Sequence, residues 1–442
     1  MPTKPKQKKD QAQDAQATFQ SVKGMHDVLP SEAATQEKIY KTAKEIFDFY
    51  NFLPIAVPTL EQLSLYMRTT GETSDIVEKQ MFSLKTKGGE TLALRPEFTP
   101  GIGRAYIEHS MNNYPQPVKL FTIGSLFRYE QPQHGRLRQF TQMNVEIYST
   151  EGDAIYDAQV MLAFYRIFEE LRIKNIIINV NTIGCKACRP GYKKALTNYY
   201  KSKEKHLCAD CKRRLPTNPL RLLDCKQADC QPFKEQAPTT LDHVCTTCKK
   251  HFKEVLEYLD NVSLPYTLNS MLVRGLDYYS KTVFEFNVQS AEGEEPIPFA
   301  IAGGGRYDYL IEELGGRPTT AVGGAIGVER LFEVLKIRNL IPSQRTKEKV
   351  FLIHIGDLAK RKSLNLIEAL RHAHIGVIES LGKESLGAQL RAADKAGAPL
   401  ALIFGQKEAY EESIIIRDMK TGAQEMVPLA KLPEMIKRKL SA

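Results

Sequence analysis

The sequence predicts an α/β (α+β) protein in which a large antiparallel-sheet domain is followed by a smaller α/β domain. Two strand patterns, 118–130 and 139–149, are joined by a short polar loop, so they should pair antiparallel. A basic, cysteine-rich segment at 185–260 follows them, and strands alternate with helices after a polar linker at 341–349. A chain of 442 residues has room for two or three domains.

The first domain is expected to span 19–345, after a polar tail at 1–18 whose composition predicts disorder. Ser31 is a plausible cap for a helix that runs to residue 50. The apolar stretch NFLPIAVPTLE then predicts a strand with Pro58 near its end. The polar, glycine-containing residues 87–90 predict a hairpin between two short strands.

Composition bounds the location and the partners of the protein. The chain has no apolar run of membrane-spanning length and no charged-then-apolar leader, so we expect a cytoplasmic protein. Its net charge of +9 favours an anionic partner such as nucleic acid. Ten basic residues against two acidic ones fall between positions 185 and 215, where a solvated helix face is the alternative explanation.

All eight cysteines fall between positions 185 and 248, in the patterns CKAC, CADC, CKQADC and CTTC. Cytosolic thiols stay reduced, and two thiolates separated by two residues can bind one tetrahedral metal ion. The spacing therefore predicts at least one structural zinc, with buried thiols as the alternative. The candidate ligands are Cys185, Cys188, Cys208, Cys211, Cys225, Cys230, Cys245 and Cys248.

The stretch FRYEQPQHGRLRQF, at 127–140, concentrates arginines at the predicted hairpin tip. Strand alternation would place Arg128 and Glu130 on one face, and Phe140, Gln142 and Glu146 on one face of the second strand. An exposed amphipathic hairpin would explain the pattern without a ligand. Guanidinium groups at positions 128, 136 and 138 nevertheless suit a polyphosphate, and the nearby aromatic ring suits a nucleotide base.

These residues resemble motif 2 of the class II aminoacyl-tRNA synthetases, and of the histidyl-tRNA synthetase family in particular. GMHD at 24–27 resembles the N-terminal signature of that family, VPTLE around Pro58 resembles motif 1, and AVGGAIGVERL at 321–331 resembles motif 3. LVRGLDYYSKTVFEF at 272–286 and AGGGRYD at 302–308 are similar to the two histidine-specific motifs of the family. The resemblance runs over nearly the whole chain.

The resemblance implies a class II antiparallel-sheet catalytic domain with a helical insertion and a C-terminal α/β anticodon-binding domain at 347–442. It implies a homodimer that joins histidine to tRNA(His) through a histidyl-adenylate, with ATP, Mg²⁺ and release of pyrophosphate. Motif 1 would form the dimer contact. In the C-terminal domain, Gly405 and Glu408 would occupy the usual turn at a strand end.

The resemblance also assigns roles to single residues. The residues implied to bind ATP are Arg128 at the α-phosphate and the histidine carboxylate, Arg136 and Arg330 at the distal phosphates, Phe140 at the adenine ring, and Glu130. Arg274 would lie opposite Arg128 across the reacting centre, and these two arginines would be catalytic. Those implied for histidine are Glu146 and Tyr279 at the ring, Tyr307 and Gly304 at the other wall, Glu97, Thr99 and Gln142 at the ammonium group, with Tyr278 and Arg274.

The insertion resembles the segment of this family that approaches the tRNA acceptor stem, so we expect it to serve tRNA charging and not histidine activation. Some positions depart from the family pattern. Gln131 stands where many relatives have an arginine expected to contact the acceptor end, and Phe98 and Gly324 also differ. Neither of the last two changes removes a charged ligand.

Other functional classes are weaker. A regulatory paralogue of histidine biosynthesis typically lacks the arginine of LVRG and the C-terminal domain. An RNA-binding or kinase-regulating protein with a decayed synthetase core would lack the arginines that bind phosphate, or would carry added kinase segments. HIGV at 374–377 lacks the final histidine of the class I signature. GIGRAY and GGGRYD lack the spacing of a dinucleotide fingerprint, so both are expected to be turns.

Overall fold

The structure is a computed structural model that describes residues 19–70, 79–132, 135–290, 293–341, 348–383 and 385–441. The chain forms two compact units, Met1–Pro342 and Ser343–Ala442. The tail predicted at 1–18 and most of the predicted linker at 341–349 lie outside the described residues. None of the helices that the structure describes combines the length and the apolar character that crossing a bilayer requires.

The first unit is built on an eight-stranded sheet and a three-stranded sheet. Its strands are β1 (Leu53–Pro54), β2 (Leu60–Gln62), β3 (Ser83–Lys85), β4 (Thr91–Leu94), β5 (Val118–Phe127), β6 (Gln139–Ser149), β7 (Ile176–Thr182), β8 (Tyr266–Leu268), β9 (Ser280–Val288), β10 (Ala302–Arg306) and β11 (Thr320–Gly327). The strand orders are β1-β5-β6-β11-β10-β9-β7-β8 and β2-β4-β3. From β5 to β7 every neighbouring pair is antiparallel, which confirms the predicted antiparallel sheet.

Helices cover both faces of the large sheet. They are α1 (Pro30–Phe49), α2 (Leu63–Thr70), α3 (Thr99–Glu108), α4 (Ile155–Glu170), α5 (Arg189–Lys201), α6 (Ala209–Arg214), α7 (Gln231–Glu235), α8 (Thr246–Asn261), α9 (Leu310–Glu313) and α10 (Val328–Ile337). The apolar residues of α1, α4, α8 and α10 share one core with one face of the sheet. The other face packs against α3, α9 and the insertion, and this face carries the polar side chains described below.

Strand β6 shows how alternation separates the core from the polar face. Val145 and Ile147 are buried in the core with α4, whereas the intervening Glu146 points to the opposite face. Phe140 and Gln142 fall in the same phase as Glu146, as the sequence predicted. Strand β5 ends at Phe127 and not at Glu130 as predicted, but Arg128 and Glu130 nevertheless line the same cleft.

The glycines of AGGGRYD permit close packing and do not form the predicted turn. Residues 302–306 are strand β10, where Gly304 pairs with Gly324 on one side and with Phe284 on the other. A Cβ atom on Gly304 would lie 2.6 Å from the Cα of Gly324 and 2.8 Å from the Phe284 ring. GIGRAY is likewise part of helix α3 and not a turn, and its Gly103 lies against the buried side chain of Ile311.

Arg306, which follows these glycines, is a structural residue with 1% of its surface exposed. Its guanidinium forms hydrogen bonds of 3.0 and 3.2 Å to the carboxylate of Asp157 in α4, and a third of 3.2 Å to Asp308. Burial raises the pKa of Asp157, but the adjacent Arg306 outweighs it and holds that pKa at about 2. The charge pair therefore joins the sheet to α4.

Two other boundaries differ from the prediction. Helix α1 begins at Pro30 with Leu29 as its N-cap, so Ser31 is inside the helix and does not cap it. The stretch NFLPIAVPTLE is divided between β1 and β2, because neither Pro54 nor Pro58 has a backbone N–H to donate to a continuous ladder. The predicted hairpin at 87–90 is confirmed by the antiparallel pairing of β3 and β4.

The insertion between β7 and β8 is helical, as predicted. It contains α5 to α8 together with short 3-10 turns, of which one covers Pro219–Asp224. Its apolar residues, such as Tyr192 and Leu223, belong to the same hydrophobic cluster as Tyr278 and Tyr279. The insertion is therefore packed directly against the segment between β8 and β9.

The second unit is a five-stranded sheet with helices. Its elements are β12 (Lys349–His354), α11 (Asp357–His372), β13 (Gly376–Glu379), α12 (Leu386–Lys395), β14 (Leu400–Phe404), α13 (Gln406–Tyr410), β15 (Ser413–Asp418), β16 (Gln424–Pro428) and α14 (Leu432–Ser441). The order is β13-β12-β14-β15-β16, which confirms the predicted α/β unit. Strand β16 was not predicted, because only Val427 of its residues is buried. Gly405 is the N-cap of α13, which contains Glu408.

Candidate active site

A cleft opens on the polar face of the large sheet, beside the ends of β5 and β6 and over β9, β10 and β11. The predicted ATP residues all line it, together with two residues predicted for histidine. They are Arg128, Glu130, Arg136, Phe140, Gln142, Arg274 and Arg330. Residues from four sequence motifs thus meet in one cavity.

The cleft concentrates positive charge. Burial lowers the pKa of Arg330, and the neighbouring guanidinium groups of Arg136 and Arg128 lower it further. Arg330 is held by hydrogen bonds from Nε to the Gly135 carbonyl, 3.0 Å, and from Nη1 to the Ala300 carbonyl, 2.9 Å. Like charges held this close favour the binding of an anion.

The glycine in FRYEQPQHGRLRQF has a conformational role. Gly135 adopts φ +71°, which disfavours other residues, and its carbonyl accepts the hydrogen bond from Arg330. Arg136 lies 3.4 Å from the carboxylate of Glu130. The loop therefore brings motif 2 and motif 3 arginines to the same wall, while Arg138 turns away and stacks over Tyr129 at 4.2 Å.

Arg128 lies between the cleft and the turn that precedes α3. Its Nε donates to the Pro96 carbonyl at 3.0 Å, and its guanidinium carbon lies 5.2 Å from the centre of the Phe140 ring. One face of the ring is therefore covered by a cation in the ligand-free cleft. A base that stacks on Phe140 must use the other face or displace that guanidinium group.

Arg274 occupies the opposite wall. Its Nη1 donates to Glu285 of β9 at 2.6 Å, and a Cβ atom on Gly303 would lie 3.0 Å from its guanidinium carbon. Glycine at position 303 therefore leaves the space that Arg274 fills. The Nε of Arg274 is buried without a hydrogen-bond partner among the described residues, so this donor is available to a ligand.

A second group of predicted residues lies next to the cleft and is buried. Glu146 accepts hydrogen bonds from Thr99 at 2.6 Å and Asn144 at 2.7 Å, and the hydroxyl of Tyr307 contacts its other oxygen. Burial raises the pKa of Glu146 to about 8, although the bonds from Thr99 and Asn144 oppose the rise. Burial therefore favours the protonated carboxyl group, and three side chains fix its position.

Glu97 forms the other acidic point of this group. Its carboxylate accepts a 2.6 Å hydrogen bond from the hydroxyl of Tyr278, and both side chains are almost fully buried. The rings of Tyr278, Tyr279 and Tyr307 pack together with centroid separations of 4.7 to 6.4 Å. Two buried carboxyls and three tyrosines thus form a compact polar pocket whose groups pair with one another.

Gly304 was implied to form one wall of the histidine pocket, where only its backbone is available. Its missing side chain would point toward Phe284, on the core side of the sheet. Gly303 and Gly305 point to the side of the cleft, where a Cβ atom on Gly305 would lie 3.0 Å from Tyr279. These two glycines therefore leave the space beside Arg274 and Tyr279.

Sequence reasoning missed three acidic or polar residues. Glu285 pairs with Arg274, Asn144 donates to Glu146, and Glu329 accepts a 2.7 Å hydrogen bond from the backbone N–H of Thr141. The sequence itself could have pointed to Glu285, because it is an acidic residue among the apolar residues of VFEF. Glu329 belongs to motif 3, and its contact ties that motif to β6.

Gly24 of the N-terminal signature joins the motif 2 loop. Its carbonyl accepts a 2.8 Å hydrogen bond from the backbone N–H of Arg138. Its φ is +83°, and a Cβ atom would lie 2.8 Å from Pro132. Glycine is therefore required where this segment crosses the hairpin tip.

The eight cysteines form two separate groups of four, and in each group the sulfur atoms lie within 4.8 Å of one another. One consists of Cys185, Cys188, Cys245 and Cys248, and the other of Cys208, Cys211, Cys225 and Cys230. Sulfur–sulfur distances of 3.7 to 3.9 Å exceed the ~2.05 Å of a disulfide and match the ~3.8 Å edge of a tetrahedron with Zn–S bonds of ~2.3 Å. The donor set and its spacing fit zinc.

The insertion also contacts the segment that carries Arg274. Asn218 donates to the carboxylate of Asp277 at 2.9 Å, Arg221 donates to the Arg274 carbonyl at 3.3 Å, and Arg189 donates to the Tyr279 carbonyl. The insertion is therefore in direct contact with the segment that carries Arg274 and Tyr279, although we expected it to serve tRNA charging alone.

Comparison with known proteins agrees with this geometry. The histidyl-tRNA synthetase family matches residues 24–331, and the anticodon-binding domain family matches residues 349–439. The histidine–tRNA ligase of Natranaerobius thermophilus is 40% identical over 417 residues, covering 94% of this chain and 98% of its own length. That of Aquifex aeolicus is 42% identical over 415 residues, covering 94% and 100%.

Among solved structures, the ligand-free histidyl-tRNA synthetase of S. aureus superposes with a TM-score of 0.77 at 31% identity, covering 95% of this chain and all of its own. Both domains are included in that match, and the four motif regions of the cleft fall within the residues that the catalytic family covers. The chain therefore belongs to the histidyl-tRNA synthetase family.

Proposed function

We infer that this protein is a histidine–tRNA ligase, which activates L-histidine with ATP and transfers it to the 3′ end of tRNA(His). The observation that carries this function is the meeting of Arg128, Arg136, Arg330 and Arg274 in one cleft beside the buried pocket of Glu146. An anionic nucleotide and a cationic amino acid can thus lie side by side. Family membership over nearly the full chain supports the same activity.

The cleft binds ATP through its cations. Arg136 and Arg330 hold the distal phosphates, since they lie together on the wall formed by motif 2 and motif 3. Phe140 stacks with the adenine once the guanidinium of Arg128 leaves its ring. Arg128 then bonds the α-phosphate and the histidine carboxylate, and Glu130 keeps Arg136 in place from 3.4 Å.

Arg274 stabilises the charge that develops when the histidine carboxylate attacks the α-phosphorus. Glu285 fixes one end of its guanidinium group, and the buried Nε–H has no partner among the described residues. A donor that is already oriented needs no reorganisation when charge builds on the phosphoryl oxygens. Arg128 and Arg274 therefore act from opposite sides of the reacting centre.

The buried pocket recognises histidine. A neutral imidazole has one donor and one acceptor, which match the carboxyl of Glu146 and a tyrosine hydroxyl of Tyr279 or Tyr307. Glu97, Thr99 and Gln142 bind the ammonium group, and Tyr278 orients Glu97 through its 2.6 Å hydrogen bond. A substrate without polar ring atoms would leave these buried groups unpaired and be rejected.

Mg²⁺ would bind in the cleft together with ATP. Among the described residues no group of three acidic side chains is close enough to hold a cation alone. Mg²⁺ commonly binds through one or two carboxylates and the substrate phosphates, a pattern that the cleft residues Glu130 and Glu285 fit. Bound there, it would neutralise phosphate charge alongside the arginines.

Each four-cysteine group holds one structural Zn²⁺. Four thiolates close the tetrahedron and leave no position for water or substrate, so neither site takes part in the chemistry. The first group joins the segment before α5 to the start of α8. The second joins the segment around α6 to residues 225–230.

We assign the remaining partners from the family matches, the charge of the insertion and the exposed apolar residues. The second unit reads the anticodon, and the basic insertion contacts the tRNA acceptor region. A homodimer forms around motif 1, where Phe49, Leu53, Leu60 and Met67 are 79, 52, 41 and 38% exposed. The protein acts in the cytoplasm, the reducing compartment in which these thiols remain available to zinc.

Pyrophosphate exchange with histidine and ATP tests the activity. We expect exchange that depends on histidine and is absent with phenylalanine, because the pocket requires a polar ring. A regulatory paralogue or a decayed synthetase would bind histidine or RNA without exchange. The retained Arg274 and the presence of the second unit favour the enzyme over both.

A further inference from the structure

The segment from Arg274 to Tyr279 is held from outside the catalytic sheet. It connects the cleft, where Arg274 lies, to the histidine pocket, where Tyr278 and Tyr279 lie. In the part of the chain that the structure describes, its polar contacts include three side chains from the insertion. We call this segment the histidine loop.

We propose that the insertion is a positioning element for histidine activation, in which Asn218, Arg221 and Arg189 clamp the histidine loop and thereby orient Arg274. This inference rests on the proposed function. Asn218 acts on Asp277, while Arg221 and Arg189 act on backbone carbonyls at the two ends of the loop. None of the three needs to touch a substrate.

The thiolate groups hold the clamp in place. Arg189 directly follows Cys188 of the first group, and its position at the start of α5 is fixed by further hydrogen bonds to the carbonyls of Ile183 and Gly184. Asn218 and Arg221 lie between Cys211 and Cys225 of the second group. Since short helices and 3-10 turns form this part of the chain, a metal ion held by each cysteine group would supply rigidity that secondary structure alone does not.

The contact at Asp277 is the most specific of the three. Burial raises the pKa of Asp277, and the hydrogen bond from Asn218 together with the charges of Arg221, Lys193 and Arg189 opposes that rise. All four opposing groups belong to the insertion. The insertion therefore stabilises the ionised carboxylate of a residue that lies three positions from Arg274.

The clamp matters because Arg274 must match a transition state and not merely bind a ligand. The guanidinium group sits against Gly303 and Glu285, with little room for an alternative position. A shift of the loop by about 1 Å would move a preorganised charge off the reacting phosphorus, and misplacements of this size cost up to about a hundredfold in rate. Ground-state binding of ATP depends on other residues and should change little.

The test exchanges the two partners of the Asn218–Asp277 hydrogen bond. Asn218→Asp places two carboxylates against each other, and we expect kcat for histidine-dependent pyrophosphate exchange to fall about ten- to a hundredfold with a nearly unchanged KM for ATP. The double variant Asn218→Asp with Asp277→Asn restores a donor and an acceptor at the same place. It should recover kcat to within about threefold of the wild type.

Lys226→Ala is the matched control, since Lys226 is exposed in the same segment and its loss removes a positive charge without touching the loop. It should leave exchange unchanged. Zinc content measured on every variant separates a displaced loop from an unfolded insertion, and wild-type exchange separates this inference from the proposed activity. Normal exchange by Asn218→Asp, or a double variant no better than the single one, would overturn the clamp.

Discussion

The guanidinium group of Arg274 is held by one acidic side chain, Glu285, and its buried Nε–H has no hydrogen-bond partner among the described residues. We expect Arg274→His to keep ATP and histidine binding but to slow adenylate formation by roughly two to four orders of magnitude, the cost of losing a preorganised charge. Single-turnover kinetics and equilibrium binding measure the two effects. The control Arg166→His removes a half-buried arginine of α4 that pairs with Glu169 and does not line the cleft, and it should leave adenylate formation unchanged. Unchanged turnover in Arg274→His would contradict its role.

Glu146 makes a prediction for stability as well as for binding. Because burial raises its folded-state pKa to about 8, the native protein binds a proton that the unfolded chain releases near pH 4.5. Stability should therefore fall as pH rises through the window between these values and level off above about pH 8. Glu146→Gln cannot ionise, so its stability relative to the wild type should rise by about 3 to 5 kcal/mol across that window.

Thermal or chemical unfolding of the ligand-free protein between pH 5 and pH 9 measures this difference. Glu169→Gln, at an exposed position on α4, is the control and should show no such trend. The same Glu146→Gln protein should lose histidine-dependent exchange, because the pocket loses its acidic acceptor. A stability difference that does not vary with pH would show that Glu146 is ionised in the folded protein.

At the scale of elements, the two groups of four cysteines have no residue in common. We expect two zinc ions per chain by elemental analysis, and Cys185→Ser and Cys208→Ser should each lower the content by about one. Chelation should lower the melting temperature of the wild type. Protein purified without chelator that contains no zinc would reject the sites, and loss of both ions from either variant would show that they are coupled.

The insertion also changes one expectation drawn from its charge. A basic segment suggested a module for tRNA alone, but helix α5 and the 3-10 turn that begins after Asn218 contact the histidine loop. Deleting the insertion should therefore impair histidine activation as well as tRNA charging. The charge pattern could not reveal this, because the contacts join residues about 60 to 90 positions apart along the chain.

At the scale of the whole molecule, exposed apolar residues around motif 1 predict an interface between two copies. Light scattering at micromolar concentration should give twice the mass of the chain, and Leu60→Lys should shift the protein toward the monomer because it places a charge among these apolar side chains. Leu364→Lys, at a more exposed position in α11 of the second unit, is the control. A monomeric wild type would refute the dimer.

Much of the fold was open to prediction from local pattern. The antiparallel pairing of β5 with β6, the hairpin at 87–90 and the α/β unit follow from hydrophobic periodicity and turn residues, and the structure has them. The helical insertion was implied by the family resemblance. The predictions were wrong where two local sequence rules conflict. Prolines divided one predicted strand, and glycines that read as turns lie in β10 and α3, because close packing and not loop geometry requires them there.

By itself the sequence determined the family, the residue types of the site and the presence of metal-ligand spacing, since motifs are contiguous and their chemistry is carried by the residues themselves. Only the tertiary structure decided which cysteines share a site, that Gly303 and Gly305 and not Gly304 face the cleft, and that Glu285 and Asn218 support the loop of Arg274. These relations depend on strand register and on packing between distant segments. Such contacts are set by the folded sheet, so no local pattern encodes them.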